Sequence, residues 1–174
     1  MEPPRIETPR LILDAHRAED FAAMCAMYAD PDVVRYVGGE VQPPGEVWAR
    51  LLRLAGCWPV LGYGYWALRH KASGRYAGCL GFAEFHRDTE PSLPDGPEGG
   101  WLLARWAHGQ GFASEALEAA LAWIDTQLPF DRSCCLIHPD NGPSLRLARR
   151  FGYTGESSVT FKGEANLLLQ RTRP

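Results

Sequence analysis

The stretch WAHGQGFASEALEAALAWIDTQL, residues 106–128, constrains this chain more than any other. Its second part reads as one long helix over 112–127. Phe112, Ala116, Ala119, Ala120 and Trp123 form one apolar stripe, and Leu117, Leu121, Ile124 and Leu128 form another. So wide an apolar arc suits a helix lying against a sheet. Just ahead of it stand Gly109 and Gly111, and ahead of them the short apolar run 101–103 reads as a central strand. Strand, glycine turn and helix together make a recipe for holding an anion. The first helical amides lack an intrachain acceptor, and the macrodipole places partial positive charge at that end. Gly109 and Gly111 remove side chains that would stand between those amides and a phosphate. The turn is not a nucleoside-triphosphate loop, because no Gly-Lys-Ser or Gly-Lys-Thr follows it. Its glycine interval also differs from a dinucleotide fingerprint. On the local pattern alone, a plain chain reversal stays open as the alternative.

The same reading carries to the rest of the chain. Strands are expected over 10–13, 63–69, 76–85, 101–103, 132–137, 155–161 and 165–170, with a hairpin through HKASGR. Helices are expected over 18–28, stopped by Asp30-Pro31, and over 45–55, 112–127 and 143–151, the last ended by Gly152. Residues 86–99 hold three prolines and no periodicity, which predicts a long loop and a candidate binding element. Hairpins together with helix crossovers give an α/β fold class with a mixed sheet. A length of 174 residues suits one domain, residues 1–174.

Charge and cysteine content exclude several function classes. Eighteen basic and twenty-one acidic residues leave a net charge of -3 with no basic run, so no nucleic-acid partner is expected. MEPPRIETPRLILDAHR lacks the apolar core of a signal peptide, and no later run approaches ~20 apolar residues. No membrane association is expected, and the location is read as cytoplasmic. Cys25, Cys57, Cys79, Cys134 and Cys135 are odd in number and lack metal-type spacing, which predicts reduced thiols and no metal.

A second constellation, HPDNGPSLRLARRFGYTGE, opens a short helix at Asn141 to Ser144, with Leu145, Ala148 and Phe151 on its buried face. Asn141 and Ser144 taken alone fit ordinary helix caps. Jointly with GGWLLARWAHGQGFASEALEAAL, however, this segment resembles the signatures of the GCN5-related N-acetyltransferase (GNAT) superfamily. Within it, the chain resembles the RimJ/RimL-like branch of ribosomal-protein N-terminal acetyltransferases. TPRLIL, ADPDVVRYVG and GYWALRHKASGRYAGCLGF resemble the remaining landmarks, so the likeness covers nearly the whole chain.

The resemblance implies a single-domain GNAT fold, with a mixed, mostly antiparallel central sheet flanked by helices. It implies acetyl-CoA as cosubstrate and direct attack by an amine without an acyl-enzyme. It places the amides of His108, Gly109, Gln110, Gly111 and Phe112 around the pyrophosphate, with Ala113 close by. Leu102, Leu103 and Ala104 would offer backbone groups to pantetheine. Asn141 would reach the coenzyme arm, and Ser144 would lie near its sulfur. Ala148 stands where many superfamily members carry a tyrosine that protonates the leaving thiolate. RimL-like enzymes often lack that tyrosine, and Ser144 is the expected proton donor in its place.

Glu98 is the first candidate for the base, with Glu84 and His86 as alternatives. Glu115 is read as favouring the helix N-terminus electrostatically. Tyr36, Trp58, Tyr65, Trp66, Phe85 and Trp101 divide between core and acceptor pocket. Asp88, Glu90 and Asp95 on the 86–99 loop could receive a cationic amine. The expected acceptor is a small cationic primary amine. A peptide N-terminus of the RimJ/RimL type is the alternative, and Ala148 keeps a non-catalytic coenzyme A-binding module open as a third reading. Monomer and homodimer both stay open.

Overall fold

The computed structural model describes residues 2–174, which gather into two compact units. The first takes the chain up to Gly81 together with Trp101–Ala120; the second takes Phe82–Gly100 together with Leu121–Pro174.

β1 (Ile6–Glu7), β2 (Leu11–Asp14), β3 (Tyr65–His70) and β4 (Tyr76–Ala83) pair antiparallel in chain order, all in the first unit save Phe82 and Ala83, which end β4 in the second. All eight residues of β4 are buried, as an unbroken small and apolar run covered on both faces should be. Its neighbour β6 (Glu98–Leu103) starts in the second unit and ends in the first. The close approach of β4 to the end of β6 depends on Gly78. A Cβ there would lie 2.2 Å from the Leu102 carbonyl oxygen.

The expected 18–28 helix opens as a 3-10 turn and becomes α1 at Phe21–Tyr28. Asp30-Pro31 does more than stop it. The Asp30 carboxylate caps α2 (Pro31–Val34) by accepting from the Asp32 amide, and Pro31 fills a first-turn position where no N–H is needed. The expected 45–55 helix is longer, running as α3 over Pro44–Leu61 and through Pro59. Val47, Leu51, Leu54 and Trp58 keep one buried face across that length, and this packing outweighs the missing proline N–H. Trp58 meets Trp66 of β3 edge-on at 4.7 Å and donates its indole N–H to the Tyr65 carbonyl at 3.0 Å.

In the second unit, β6 pairs parallel with β7 (Arg132–Ile137) at Glu98↔Cys134. β7 then pairs antiparallel with β9 (Glu164–Thr172), β9 with β8 (Thr154–Phe161), and β8 with the two-residue β5 (Thr89–Glu90). The expected 86–99 loop therefore contains β5 and yields its last two residues to β6. Between β7 and β8 runs α5 (Gly142–Arg150). The long helix α4 is Phe112–Gln127, with the bounds its periodicity predicted. Its Asp125 forms a two-pronged ion pair with Arg171 of β9 at 2.8 and 2.6 Å. The expected α/β class holds: a mixed, mostly antiparallel sheet flanked by helices.

Candidate functional site

The turn ahead of α4 is built in steps. Leu103 ends β6, Ala104 gives its amide to the Ala77 carbonyl at 2.9 Å, and Arg105–Ala107 close a 3-10 turn. Gly109 and Gly111 then take φ of +72° and +79°, a region that L side chains rarely adopt. Conformation, more than clearance, is thus what demands glycine here. A Cβ on Gly109 would touch nothing, and one on Gly111 would meet only the Arg10 Nη2 at 3.4 Å. Among the described residues the amides of Gly109, Gln110 and Gly111 make no backbone bond, while Phe112 and Ala113 open α4, whose first amides lack acceptors. An oxyanion fits this set of donors.

Two expected donors are already occupied. The His108 amide is bonded to the Arg105 carbonyl at 3.1 Å, which removes it from the amide cradle. Its imidazole instead bonds the Leu103 carbonyl at 2.8 Å and braces the strand end. The Ala104 amide, as noted, is given to Ala77.

Thr8 and Arg10, within TPRLIL, carry no site signal in the sequence, yet the fold brings both to this turn. Thr8 Oγ1 lies 2.6 Å from Glu115 Oε1, which also accepts from the Arg10 amide at 2.7 Å. Arg10 Nε reaches Glu115 Oε2 at 2.7 Å, and its Nη1 donates to the Gln110 carbonyl at 2.8 Å. Burial opposes ionisation of Glu115, but these bonds from Thr8 and Arg10 outweigh it and hold the carboxyl below its usual range.

In the second unit, Asn141 caps α5. Its Oδ1 accepts from the Ser144 amide at 3.2 Å, leaving the carboxamide N–H groups as its donors outward. Asn141 and Ser144 are half-buried, whereas Ala148 is fully enclosed.

A separate cavity of about 410 Å³ opens under residues 83–98. Glu84, Phe85, His86, Asp95 and Glu98 line it, so the first candidate base and both alternatives share one chamber. Asp88 and Glu90 are not among the lining residues; they are exposed, and the acidic character of the cavity comes from Glu84, Asp95 and Glu98 instead. Glu98 is 6% exposed and opens β6. Arg87 grips it with Nε to Oε2 at 2.7 Å and Nη2 to Oε1 at 2.8 Å, while lying 4.9 Å from the centres of the Phe85 and Phe161 rings. Arg87 carried no signal in the sequence, because its partner lies eleven residues on, across a loop without periodicity. Trp58, Tyr65 and Trp66 belong to the core, and Phe85 is the expected aromatic residue that reaches this cavity.

Cys134 also lines the cavity. Burial first, and then the Glu98 charge, push its thiol up to about 12 against the opposing effect of Arg87, so it stays protonated at neutral pH. All five cysteines are unpaired. Among the described residues no group of three or more His, Cys, Asp or Glu is placed to hold a metal, and no helix is long and apolar enough to cross a membrane.

The profile of the family described as "Acetyltransferase (GNAT) domain" matches residues 10–154. The protein YkkB of Bacillus subtilis (strain 168) is 26% identical over 152 residues, spanning 85% of this chain and 84% of its own length. A Bordetella pertussis structure described as of the GnaT acetyltransferase family is 34% identical, with a TM-score of 0.84 over 98% of this chain and 100% of that one. The structure of RimL, a ribosomal L7/L12 α-N-protein acetyltransferase in complex with coenzyme A, has a TM-score of 0.78 at 18% identity. It covers 97% of this chain and 98% of its own, a likeness of fold alone.

Proposed function

This chain belongs to the acetyltransferase (GNAT) family and is an acetyl-CoA-dependent acetyltransferase; from that premise we propose that its acceptor is a small cationic primary amine bound in the cavity under residues 83–98. The observation that carries the proposal is the chemistry of that cavity. Three carboxylates, Glu84, Asp95 and Glu98, stand against one arginine already engaged by Glu98, with Phe85 and Phe130 as apolar wall. An alkylammonium gains charge pairing from the acids and face contact from the rings.

The donor side follows the turn. Gly109, Gln110, Gly111, Phe112 and Ala113 present amides to the diphosphate of acetyl-CoA, and His108 supports them by bracing Leu103. Leu102, Leu103 and Ala104 flank pantetheine, and Asn141 offers its carboxamide to the coenzyme arm. The neutral amine attacks the thioester carbonyl, the C–N bond forms, and the C–S bond breaks. Glu98 accepts the amine proton, directly or through water. Each of its oxygens has a lone pair beyond the one Arg87 uses. Ser144 gives its hydroxyl proton to the departing thiolate and regains one through water from the proton Glu98 took, so that amide and free coenzyme A leave with both side chains restored. On this reading residues 1–174 work as one domain. One cooperative calorimetric transition would support that, and two separate transitions would refute it.

The deciding experiment follows thiol release from acetyl-CoA across polyamines, aminoglycosides, amino acids and short peptides, with mass spectrometry of the product. Turnover of small cationic amines at least tenfold above that of peptides is expected. Efficient turnover only of peptides with a free N-terminus would instead place the chain in the RimJ/RimL-like branch, and acetylation of an alcohol would refute an amine acceptor altogether.

A further inference from the structure

We propose that Arg10 is a positioning residue for the coenzyme: it holds the 109–112 turn in its binding shape and cancels the charge of Glu115 beside it. The inference rests on the reading that this turn takes the diphosphate. Glu115 poses the physical problem. It sits in the first turn of α4, its amide bonded to the Gly111 carbonyl, so a carboxylate stands beside the amides that are to meet an anion. Left alone, it would repel the diphosphate and compete for the positive end of the helix.

Arg10 answers both difficulties. Its backbone amide and Nε each bond Glu115 at 2.7 Å, and Thr8 binds the same carboxylate, so both oxygens are engaged. The other end of the guanidinium reaches the turn. Nη1 bonds the Gln110 carbonyl at 2.8 Å, Nη2 lies 3.4 Å from where a Gly111 Cβ would stand, and the group rests 4.6 Å from the centre of the Phe112 ring. One side chain thus bonds Gln110 and stacks on Phe112, on either side of Gly111. Because a trans peptide is planar, fixing the Gln110 carbonyl also fixes the Gly111 N–H, which points the opposite way across the same plane. The rigid fork of a guanidinium can span the Glu115 carboxylate and the Gln110 carbonyl together; a single ammonium cannot reproduce that geometry.

The test uses the full chain, with calorimetric binding of acetyl-CoA and steady-state kinetics at 50 and 500 mM NaCl. Arg10→Gln should raise both Kd and KM for acetyl-CoA at least tenfold at low salt, with kcat at saturation within threefold of wild type. Arg10→Lys should recover only part of that loss. Removing the repelling charge as well, in Arg10→Gln/Glu115→Gln, should recover at least threefold in affinity relative to Arg10→Gln, and the deficit of Arg10→Gln should shrink at high salt. A merely structural role makes the double variant no better than Arg10→Gln and the loss indifferent to salt, and either result overturns the proposal. Should Arg10→Gln not fold, Glu115→Gln decides alone: affinity equal to or above wild type supports charge cancellation, and a tenfold loss overturns it. Equal acetyl-CoA binding by wild type and Arg10→Gln sinks this inference only, whereas no binding by wild type sinks the reading of the turn and the inference with it.

Discussion

Replacing Gly78 by alanine should damage β6, the strand proposed to flank pantetheine, from the neighbouring strand β4. The added Cβ would stand 2.2 Å from the Leu102 carbonyl oxygen and 2.7 Å from the Leu103 Cα, against ordinary contact at 3.4–4 Å. Both neighbours are backbone, so no rotamer change relieves the clash. β4 and β6 must instead part by more than about 1 Å from the usual spacing of ~4.8 Å, which also breaks the bond from the Ala104 amide to Ala77. Overpacking costs about 1–3 kcal/mol. The φ of +143° at Gly78, a region that residues other than glycine rarely enter, adds backbone strain of about 1–3 kcal/mol, and the lost hydrogen bond adds about 1 kcal/mol. The combined loss of about 3–7 kcal/mol should lower Tm by roughly 6–28 °C for a chain of this size. Because Leu102 and Leu103 lie on the displaced strand and Ala104 directly follows it, KM for acetyl-CoA should rise at least fivefold. Scanning calorimetry and kinetics at saturating acceptor read both effects. Gly74→Ala is the control: its φ of +68° carries backbone strain, but nothing lies within 4 Å of the new Cβ. If Gly78→Ala melts within 2 °C of Gly74→Ala, the steric reasoning is wrong.

Ser144→Ala should lower kcat by ~100-fold if the hydroxyl is the thiolate's proton donor, with Kd for acetyl-CoA within twofold of wild type; unchanged turnover in rapid-quench assays removes Ser144 from the chemistry. Glu98→Gln leaves Arg87 beside a neutral partner and should cost about 3 kcal/mol in urea unfolding, together with a raised KM for the amine. Full stability in Glu98→Gln would show that the pair is dispensable to the fold. His16 supplies a pH dependence. Burial pushes its imidazole down to about 4 from 6.5, with Asp20 opposing and Arg69 reinforcing. The unfolded chain therefore binds a proton that the folded chain refuses. Stability is intact above pH 6.5 and falls as the pH drops toward 4, by about 3 kcal/mol for this one group. Urea unfolding at pH 7.5 and pH 4.5 should show that His16→Gln loses less stability across the interval than wild type; equal losses would rule out His16 as the source.

Much of the fold was legible in the primary structure because its signals are local. The bounds of α4 followed from 3.6-residue periodicity over sixteen positions, and Gly109 and Gly111 marked the turn because few other residues adopt a positive φ. The Asn141 cap and the strand over 132–137 were similarly readable. Boundaries failed where tertiary packing overrode a local stop signal. The expected 45–55 helix ends short of Pro59, yet α3 runs through that proline to Leu61, with Trp58 buried against Trp66.

The site divides along the same line. Sequence by itself determined the chemistry on offer: a glycine turn ahead of a helix, an acidic residue at the head of a strand, and Ala148 where the resemblance leads one to expect a tyrosine, with Ser144 four residues before it. It could not determine which of those groups were already spent. The His108 amide is given to Arg105, Glu98 is gripped by Arg87, and Glu115 is held by Thr8 and Arg10 from more than a hundred residues away. Hydrogen-bond capacity belongs to a residue type, but whether it is used depends on what the folded chain brings within 3 Å. Only the tertiary structure decides that.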